Sequence, residues 1–489
     1  LDLNFIITVS RVVILVKRKV PRSRRYYFFL PSDPLIHESP ISTHFTHFTR
    51  LPCRTLTSYD LPIFHGSFVP EGIKVTCRKR NNKQPHANLR RIPGVGEMSE
   101  LDPQEIAIAR AAWSRLRAVE RLTVTVIVDN ETDGLSSPCA CCDPSLDPNT
   151  STPYQSEFTW ATHQVASGKW PDLDFRRSLL AGHGLSLLLS VTTSDGSVHR
   201  LLFDGGPRED LWSINAERLG VDLAGVGAAV LSHWHVDHSV GLLAVARAAS
   251  AARATNPDQP EAELPPGPEP VMEPFVFDLH PARPARRGLL LGSSQKPVPF
   301  NVDPTLEQLS LPGCRVELHA SPHTLLGNCF FVSGSIPRLT SFETGQPGHA
   351  TLGADGKWHL DPYIMEERYL AVRVRGRGVV VFSGCSHAGI VNVVQNVKEV
   401  SSEHVFGVVG GLHLAGSKME VRIPETVAAL REIDPDRVFG GHCTGRRAKA
   451  ALVAAFPDRF QPLSVGGTYT FLAAPLGEEQ KAEAAVEGQ

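Results

Sequence analysis

The densest group of side chains that could do chemistry lies at residues 233–238, where the sequence reads HWHVDH. An apolar run directly before this segment predicts a buried strand that leads into it. Residues two apart on an extended chain face the same way, so His233 and His235 can present their imidazoles to one cation. Asp237 and His238 follow at the entry to the next helix, where they are placed to bind a second cation.

Strands and helices alternate in the sequence on both sides of this motif. Hydrophobic periodicity predicts strands at residues 122–128, 185–191, 199–203, 226–231, 274–279, 314–319, 329–332, 369–374, 378–382, 405–409, 437–439 and 468–472. It predicts helices at residues 104–121, 242–252, 390–400 and 425–433. Residues 131–170 are rich in Ser, Pro, Thr and Asp and predict a loop. The pattern predicts an α/β protein in which two sheets pack together with helices outside.

Several further polar residues lie in glycine-rich turns that follow apolar strands. Asp204 precedes two glycines, Cys385 and His387 lie in the segment FSGCSHAG, His413 lies in GGLHL, and His442 lies in GHCTG. Glycine allows the close approach of a ligand or a metal in such turns.

The motif at residues 233–238 and these turns together resemble the metallo-β-lactamase superfamily. The segments at residues 129–130, 183–186 and 334–338 narrow the resemblance to one branch, which covers about residues 122–472. That branch is named for an archaeal dihydropterin-methyl-ribofuranosyl-aminobenzene-phosphate synthase, and its many other members are metal-dependent hydrolases. The resemblance implies a four-layer αββα sandwich in a single large domain, with metals at one edge where loops from both halves meet.

The resemblance also implies roles for individual residues. His233 and His235 should bind the first metal, while Asp237 and His238 should bind the second, which His442 should complete. In a separate role, the Asp204 carboxylate should brace the loop of His233 by accepting its backbone N–H groups.

One departure from the family pattern leaves a metal ligand open. Where most relatives have a glycine followed by a bridging aspartate, this sequence has Gly384 and Cys385. We favour His387 as the third histidine of the first metal. The alternative is a Cys385 thiolate ligand, because a nearby Zn²⁺ deprotonates a thiol and binds it well. His323 is a weaker candidate for the third histidine, since it lacks the expected glycine pattern.

The catalytic and substrate-binding residues are expected beside the metals. Asp237 and His413 are the catalytic candidates, with a structural histidine as the weaker alternative for His413. His183 and Arg338 are the candidates for contacting substrate, with a solvated arginine as the alternative for Arg338. A separate cluster at Cys139, Cys141 and Cys142 lacks a second well-spaced pair and is interpreted as a loop of free thiols.

The ligand types indicate zinc, one or two ions, with Mn²⁺ or Fe²⁺ as alternatives. A zinc-bound hydroxide would then attack a small ester, lactone or phosphoester substrate. Two other classes stay open: a pterin-dependent synthase of the same branch, and a catalytically weak metal-binding or ligand-binding protein. No Gly-x-Ser-x-Gly segment or phosphate-binding P-loop supports a serine hydrolase or a nucleoside triphosphatase. We expect a small-molecule partner and neither nucleic acid nor a membrane.

Composition excludes wholesale disorder, because 42% of the 489 residues are hydrophobic and 20% are charged. No apolar run reaches the roughly 18 residues that a membrane-spanning helix needs. Nine cysteines are too few in this length for a disulfide scaffold, which favours a reducing compartment and hence a cytoplasmic protein.

The first 97 residues differ in kind from the rest of the chain. They carry 16 Lys and Arg against 6 Asp and Glu, show no sustained hydrophobic period, and contain none of the four methionines. We interpret residues 1–97 as an extension outside the domain, with a basic organelle-targeting segment and a nucleic-acid-binding arm as alternatives. The domain is predicted at residues 98–478, with an insertion at about 254–273 and a flexible tail at 479–489.

A chain that starts at Met98 is therefore expected to keep the fold and its bound metal. Thermal melting and metal analysis of the shortened and full-length proteins check this expectation. An insoluble shortened protein, or one that melts well below the full-length chain, would contradict it.

Overall fold

A computed structural model describes residues 103–133, 135–136, 157–254, 273–292 and 296–475. Its strands are β1 Ala118–Val119, β2 Arg121–Val128, β3 Ser186–Thr192, β4 Val198–Phe203, β5 Ala228–Val230, β6 Phe275–Leu279, β7 Arg287–Leu291, β8 Lys296–Pro299, β9 Cys314–Leu318, β10 His323–Leu325, β11 Phe330–Val332, β12 His349–Leu352, β13 Trp358–Leu360, β14 Tyr369–Val374, β15 Gly378–Ser383, β16 Val405–Gly411, β17 Arg437–Gly441, β18 Phe460–Pro462 and β19 Thr468–Leu472. Its α-helices are α1 Pro103–Trp113, α2 Glu157–Ala166, α3 Glu209–Leu219, α4 Val236–Ser239, α5 Leu242–Arg253, α6 Leu306–Leu309, α7 Ile390–Ser401, α8 Ile423–Ile433 and α9 Arg446–Ala455.

The strands form two large sheets and one small sheet. The first large sheet has the order β10-β11-β14-β15-β16-β17-β18, with β1 paired to β14. The second has the order β19-β2-β3-β4-β5-β6-β9, and a four-stranded sheet has the order β13-β12-β7-β8. Strands β15 to β18 are mutually parallel, as are β4, β5, β6 and β9.

Three buried apolar clusters define four layers. The central cluster joins the two large sheets, for example through Phe203 of β4 and Phe382 of β15. A second cluster packs α1, α7, α8 and α9 against the outer face of the first sheet, and a third packs α3 and α5 against the second. Each fully buried phenylalanine stabilises the fold by about 1.5–3 kcal/mol relative to leaving it exposed. The predicted αββα sandwich is confirmed.

The sandwich brings the ends of several strands to one edge. Parallel strands β15, β16 and β17 end in the turns that carry Cys385, His413 and His442. In the other large sheet, β4 ends at Asp204 and β5 leads into the turn of His233. Because the carboxyl ends of parallel strands lie on the same side of a sheet, the two halves place these turns together.

Helix α7 shows how local sequence supports this arrangement. Its valines Val391, Val394 and Val397 lie at helical spacing and are buried against the first sheet. The carboxylate of Glu343 accepts the N–H groups of Val391 and Asn392 at 2.9 Å each, which satisfies donors that the first turn leaves free. The turn that precedes α7, which carries His387, is thereby held in place.

Two predicted elements differ in the structure. The helix predicted at residues 104–121 ends at Trp113, because the chain turns there and β1 pairs with β14. The loop predicted at residues 131–170 contains α2. Trp160 of α2 is buried against Trp170, with ring centroids 5.3 Å apart, so a tertiary contact overrides the polar composition around it.

The four-stranded sheet was not predicted. Its strands are three to five residues long and several of their side chains are exposed, so they lack the strong alternation that identifies a strand from sequence.

Several predictions fall outside the described residues. These are the extension at residues 1–97, the insertion at 254–273 except for its ends, the tail at 479–489, and the cysteines Cys139, Cys141 and Cys142. Within the part of the chain that the structure describes, no helix is long and apolar enough to span a bilayer.

Candidate metal centre

The first group of ligand atoms surrounds His235. Nδ1 of His235 lies 3.0 Å from Nε2 of His233 and 3.1 Å from Nε2 of His387. Ligand atoms of His233, Cys385 and His387 lie within 4.8 Å of one another. All four side chains are buried. We call these four residues the first cluster.

Hydrogen bonds on the far side of two of these imidazoles determine where their protons lie. The hydroxyl of Ser232 donates to Asp204, so its oxygen accepts Nδ1–H of His233 at 2.9 Å and leaves Nε2 unprotonated. Nδ1 of His349 donates to the carbonyl of Asp361 at 2.6 Å, so Nε2 of His349 accepts Nε2–H of His235 at 2.8 Å. Nε2 of His233 and Nδ1 of His235 therefore present two lone pairs to each other across 3.0 Å.

The second group of ligand atoms surrounds the Asp237 carboxylate. Oδ2 of Asp237 lies 3.3 Å from Nε2 of His442 and 3.8 Å from Nε2 of His238. Sγ of Cys385 lies 3.1 Å from Nε2 of His238 and 3.2 Å from Nε2 of His442. We call these four residues the second cluster. Cys385 therefore belongs to both clusters and lies between them.

The protons of the second cluster also point away from its centre. Nδ1 of His238 donates to Oδ2 of Asp204 at 2.7 Å. Nδ1 of His442 donates to the side-chain oxygen of Asn130 at 3.0 Å, and the backbone N–H of Gly184 donates to the same oxygen. In neutral imidazoles both Nε2 atoms would be acceptors that face a carboxylate oxygen. Such an arrangement requires either a proton or a metal ion between the nitrogen and the carboxylate.

The pKa values of the clustered histidines show which imidazoles are neutral and which is charged. Burial holds the pKa of His233, His235 and His387 well below the usual range, so these imidazoles are neutral near pH 7. Burial also acts to lower the pKa of His238, but the carboxylates of Asp204 and Asp237 outweigh it and raise that pKa to about 9. A proton on His238 supplies part of the charge that a metal would otherwise provide.

Two glycines allow the turns to approach each other. A Cβ atom at Gly384 would collide with the hydroxyl of Ser232, and one at Gly441 would collide with the carboxylate of Asp129. The same Asp129 carboxylate accepts the backbone N–H of His442 at 2.8 Å. The glycines that precede Cys385 and His442 are therefore a steric requirement of the site.

His413 and Cys443 lie at the edge of the two clusters. The ring centroid of His413 is 4.2 Å from that of His387. Ligand atoms of His413, Cys443 and Cys385 lie within 4.8 Å of one another, which makes a third possible ligand group. The sequence analysis assigned no role to Cys443.

The residues predicted to contact substrate occupy different places. His183 has a largely exposed side chain whose Nε2 lies 3.4 Å from Oδ2 of Asp237, so it lies at the mouth of the second cluster. Arg338 donates to the carbonyl of Tyr363, and its Nε and Nη1 atoms have no hydrogen-bond partner among the described residues. His323 lies apart from both clusters and contacts Asp278 instead.

Two consecutive glutamates, which the sequence analysis did not identify, brace the turns that carry the ligands. Oε1 of Glu366 accepts the backbone N–H of Trp234 at 3.3 Å, and also a bond from Arg287 at 2.6 Å. Glu367 accepts the backbone N–H groups of His387 and Ala388 at 2.8 and 2.6 Å. The signal in the sequence that could have identified them is an acidic pair one residue before the apolar strand that begins at Tyr369.

His349, on β12 of the small sheet, is a further residue that the sequence analysis did not identify. Its contact with His235 leads to a prediction: His349→Phe should lower the affinity for zinc by about 10–100-fold, because it removes the acceptor that orients His235. His349→Gln should restore most of the loss, since its amide oxygen can accept the same proton. Competition with a chromogenic chelator measures the affinity.

A matched control for this test is His359→Phe. His359 lies on the neighbouring strand β13 and is exposed. Equal zinc affinity in the His349→Phe and His359→Phe proteins would contradict the orienting role.

The family model of the metallo-beta-lactamase superfamily matches residues 193–333, which include the motif at residues 233–238. Residues 193–333 therefore contain a metallo-β-lactamase superfamily domain. Proteins of this superfamily are metal-dependent, and the two clusters agree with that property.

Among individual relatives, the chain is 28% identical over 296 residues to 7,8-dihydropterin-6-methyl-4-(beta-D-ribofuranosyl)-aminobenzene-5'-phosphate synthase of Methanocaldococcus jannaschii. The match covers 59% of this chain and 90% of that protein. An uncharacterised protein of the same archaeon is 26% identical over 282 residues, covering 56% of this chain and 89% of its own. A solved structure described as a metal-dependent hydrolase of the beta-lactamase superfamily is 18% identical, with a TM-score of 0.46, over 72% of this chain and 100% of its own.

Proposed function

We propose that this protein is a hydrolase that binds two zinc ions and acts on a small ester, lactone or phosphoester. The observation that carries the proposal is the inward convergence of unprotonated ligand atoms. Nε2 of His233, Nδ1 of His235 and Nε2 of His442 each lack a proton because the other ring nitrogen donates elsewhere.

The donor atoms favour zinc over harder cations. The first cluster offers imidazoles and a thiol, and the second adds one carboxylate, that of Asp237. Imidazole and thiolate ligands suit Zn²⁺, whereas Mg²⁺ and Ca²⁺ prefer oxygen ligands. His233, His235 and His387 would hold one ion, Asp237, His238 and His442 the other, and Cys385 both.

Bound zinc supplies Lewis acidity, which polarises a carbonyl or phosphoryl group and lowers the pKa of a water molecule. The protein's own residues then orient the reactants and move protons. Asn130 donates to Nδ1 of His183 at 3.0 Å, so the proton of His183 lies on Nε2 and faces Asp237. His183 and Asp237 are thereby placed to exchange a proton at the mouth of the site.

The substrate would enter beside His183 and meet His413 and the basic side chain of Arg287. Arg287 is buried, and its Nε and Nη1 atoms have no hydrogen-bond partner among the described residues. A substrate with an anionic group could satisfy these donors. This feature favours a phosphoester or a carboxylate-bearing lactone within the proposed class.

The test is a turnover assay of the full chain on a phosphodiester, an ester and a lactone panel, each with and without a chelator. We expect turnover of at least one substrate class that chelation abolishes and zinc restores. His238→Ala should remove this activity, while the exposed His359→Ala should keep it. A zinc-loaded protein with no turnover on any panel would contradict the hydrolase proposal and indicate a binding protein.

A second candidate function is a pterin-dependent synthase. The 28% identity to the archaeal synthase, over 90% of that protein, favours it. Adding a dihydropterin and an aminobenzene ribosyl phosphate to the same assay separates the two functions. Product that forms only when the pterin is present, without hydrolysis of any panel substrate, would favour the synthase.

A further inference from the structure

A fourth group of ligand side chains lies apart from the candidate metal centre, around Asp278. Asp278 lies in β6 and is fully buried. Its Oδ2 atom is 2.7 Å from Nδ1 of His319 and 2.7 Å from Nε2 of His323. The centroids of the two imidazole rings are 4.2 Å apart. We call Asp278, His319 and His323 the triad.

The hydrogen bonds of His323 show that the triad contains more acceptors than a neutral arrangement allows. Nδ1 of His323 lies 2.9 Å from the carbonyl of Ser321, which can only accept, so this nitrogen carries a proton. In a neutral imidazole Nε2 is then unprotonated, yet it faces the carboxylate oxygen of Asp278. A positive charge must therefore lie between Nε2 of His323 and the carboxylate, either a proton or a metal ion.

The carboxylate of Asp278 is held ionised and oriented. Burial alone would raise its pKa, but the hydrogen bonds with His319 and His323 and the charge of Arg368 hold the value well below the usual range. Nη1 of Arg368 donates to the other oxygen, Oδ1, at 2.6 Å. Oδ2 is thereby left to face the two imidazoles, as outer partners commonly orient a metal-binding carboxylate.

We propose that the triad binds a divalent metal ion of the zinc class. One carboxylate oxygen and two imidazole nitrogens are a common ligand set for such ions, and solvent would complete the coordination. The present spacing of 2.7 Å is that of hydrogen bonds, so the ligand atoms must separate to about 3.3 Å around a tetrahedral ion. The His319 side chain is 35% exposed, which gives the ion an entry path and the ring room to move.

This ion would join the two large sheets. Asp278 lies in β6, and His319 directly follows β9, both in the seven-stranded sheet. His323 begins β10, which belongs to the eight-stranded sheet. The triad therefore spans the place where the chain crosses from one sheet to the other, and metal binding there would stabilise the crossing.

Zinc stoichiometry of the full chain after equilibrium dialysis, measured by atomic emission, tests the proposal. His319→Ala and His323→Ala should each hold one zinc per chain fewer than the unaltered protein. The matched control is His359→Ala, because Nε2 of His359 pairs with the exposed Asp355 at 3.0 Å and no third ligand side chain among the described residues joins them. This control should hold the full number.

The double variant His319→Ala/His323→Ala should lose the same single equivalent, since both residues serve one ion. Added zinc should raise the melting temperature of the His359→Ala protein more than that of the double variant. Equal zinc content in the triad variants and the control would overturn the proposal, because the charge at Nε2 of His323 would then be a proton. A double variant that lost two equivalents would overturn it as well.

Discussion

Purified His233→Ala and Asp237→Ala proteins are each expected to bind one cation fewer and to lose about 100-fold or more of any metal-dependent turnover. Each change removes a ligand atom from a different cluster, and the remaining atoms form an open, weaker site. His233 serves the first cluster and Asp237 the second, so the two losses should be independent in metal content. Metal analysis after dialysis, together with the turnover assay, measures both effects.

Asp204→Asn should have a smaller effect than the His233→Ala and Asp237→Ala changes. Asp204 accepts hydrogen bonds from the N–H and the hydroxyl of Ser232 and from Nδ1–H of His238. It therefore orients His238 without belonging to either cluster. Its replacement should lower metal affinity or turnover by about 10–100-fold, as is typical when a residue that hydrogen-bonds to a metal ligand is changed. Full metal occupancy in both the His233→Ala and Asp237→Ala proteins would refute the ligand assignment.

The second large effect is expected at Cys385. The sulfur of Cys385 lies 3.1 Å from Nε2 of His238 and close to the ligand atoms of His233 and His387. Cys385→Ser should therefore lower the affinity for both cations. Cys385→Asp should restore two bound cations, since a carboxylate has two oxygens with which to bridge them. His387→Ala should remove only the cation of the first cluster.

Alkylation supplies a readout that does not depend on activity. A zinc-bound Cys385 thiolate should resist iodoacetamide until a chelator is added, because the metal occupies the sulfur. The half-buried Cys314, which lies outside the clusters, should react equally with and without the chelator. If Cys385→Ser bound both cations normally while His387→Ala lost one, His387 alone would be the ligand, and the shared role of Cys385 would be wrong.

The class of fold was predictable because it depends on patterns that are local in the sequence. The strands Tyr369–Val374 and Thr468–Leu472 lie at the predicted residues, since β-branched, aromatic and other apolar residues predominate in them and most of their side chains are buried. The helix α2 was missed because it packs against residues outside its own segment, from Trp170 nearby to the distant Val465. Helix propensity is a weak predictor of a helix where tertiary contacts stabilise it.

The sequence by itself determined that His233, His235, Asp237 and His238 lie together, since a strand followed by a turn brings residues of this spacing to one place. Only the tertiary structure decided the remaining partners. His349 reaches His235 across 114 positions of the chain, and no local pattern marks that contact. It also decided that Cys385 and His387 lie beside the same imidazoles, whereas the sequence left them as alternatives.

The physical reason is that a metal site is defined by the convergence of atoms within a few ångströms, and convergence depends on the packing of whole sheets. Spacing along one turn is set by backbone geometry, which sequence encodes directly. The place where β5 and β15 bring their turns together depends on how the two sheets pack across the central apolar cluster. His323 shows the difference: its sequence context suggested a place among the ligands, and the packing of β10 places it beside Asp278 instead.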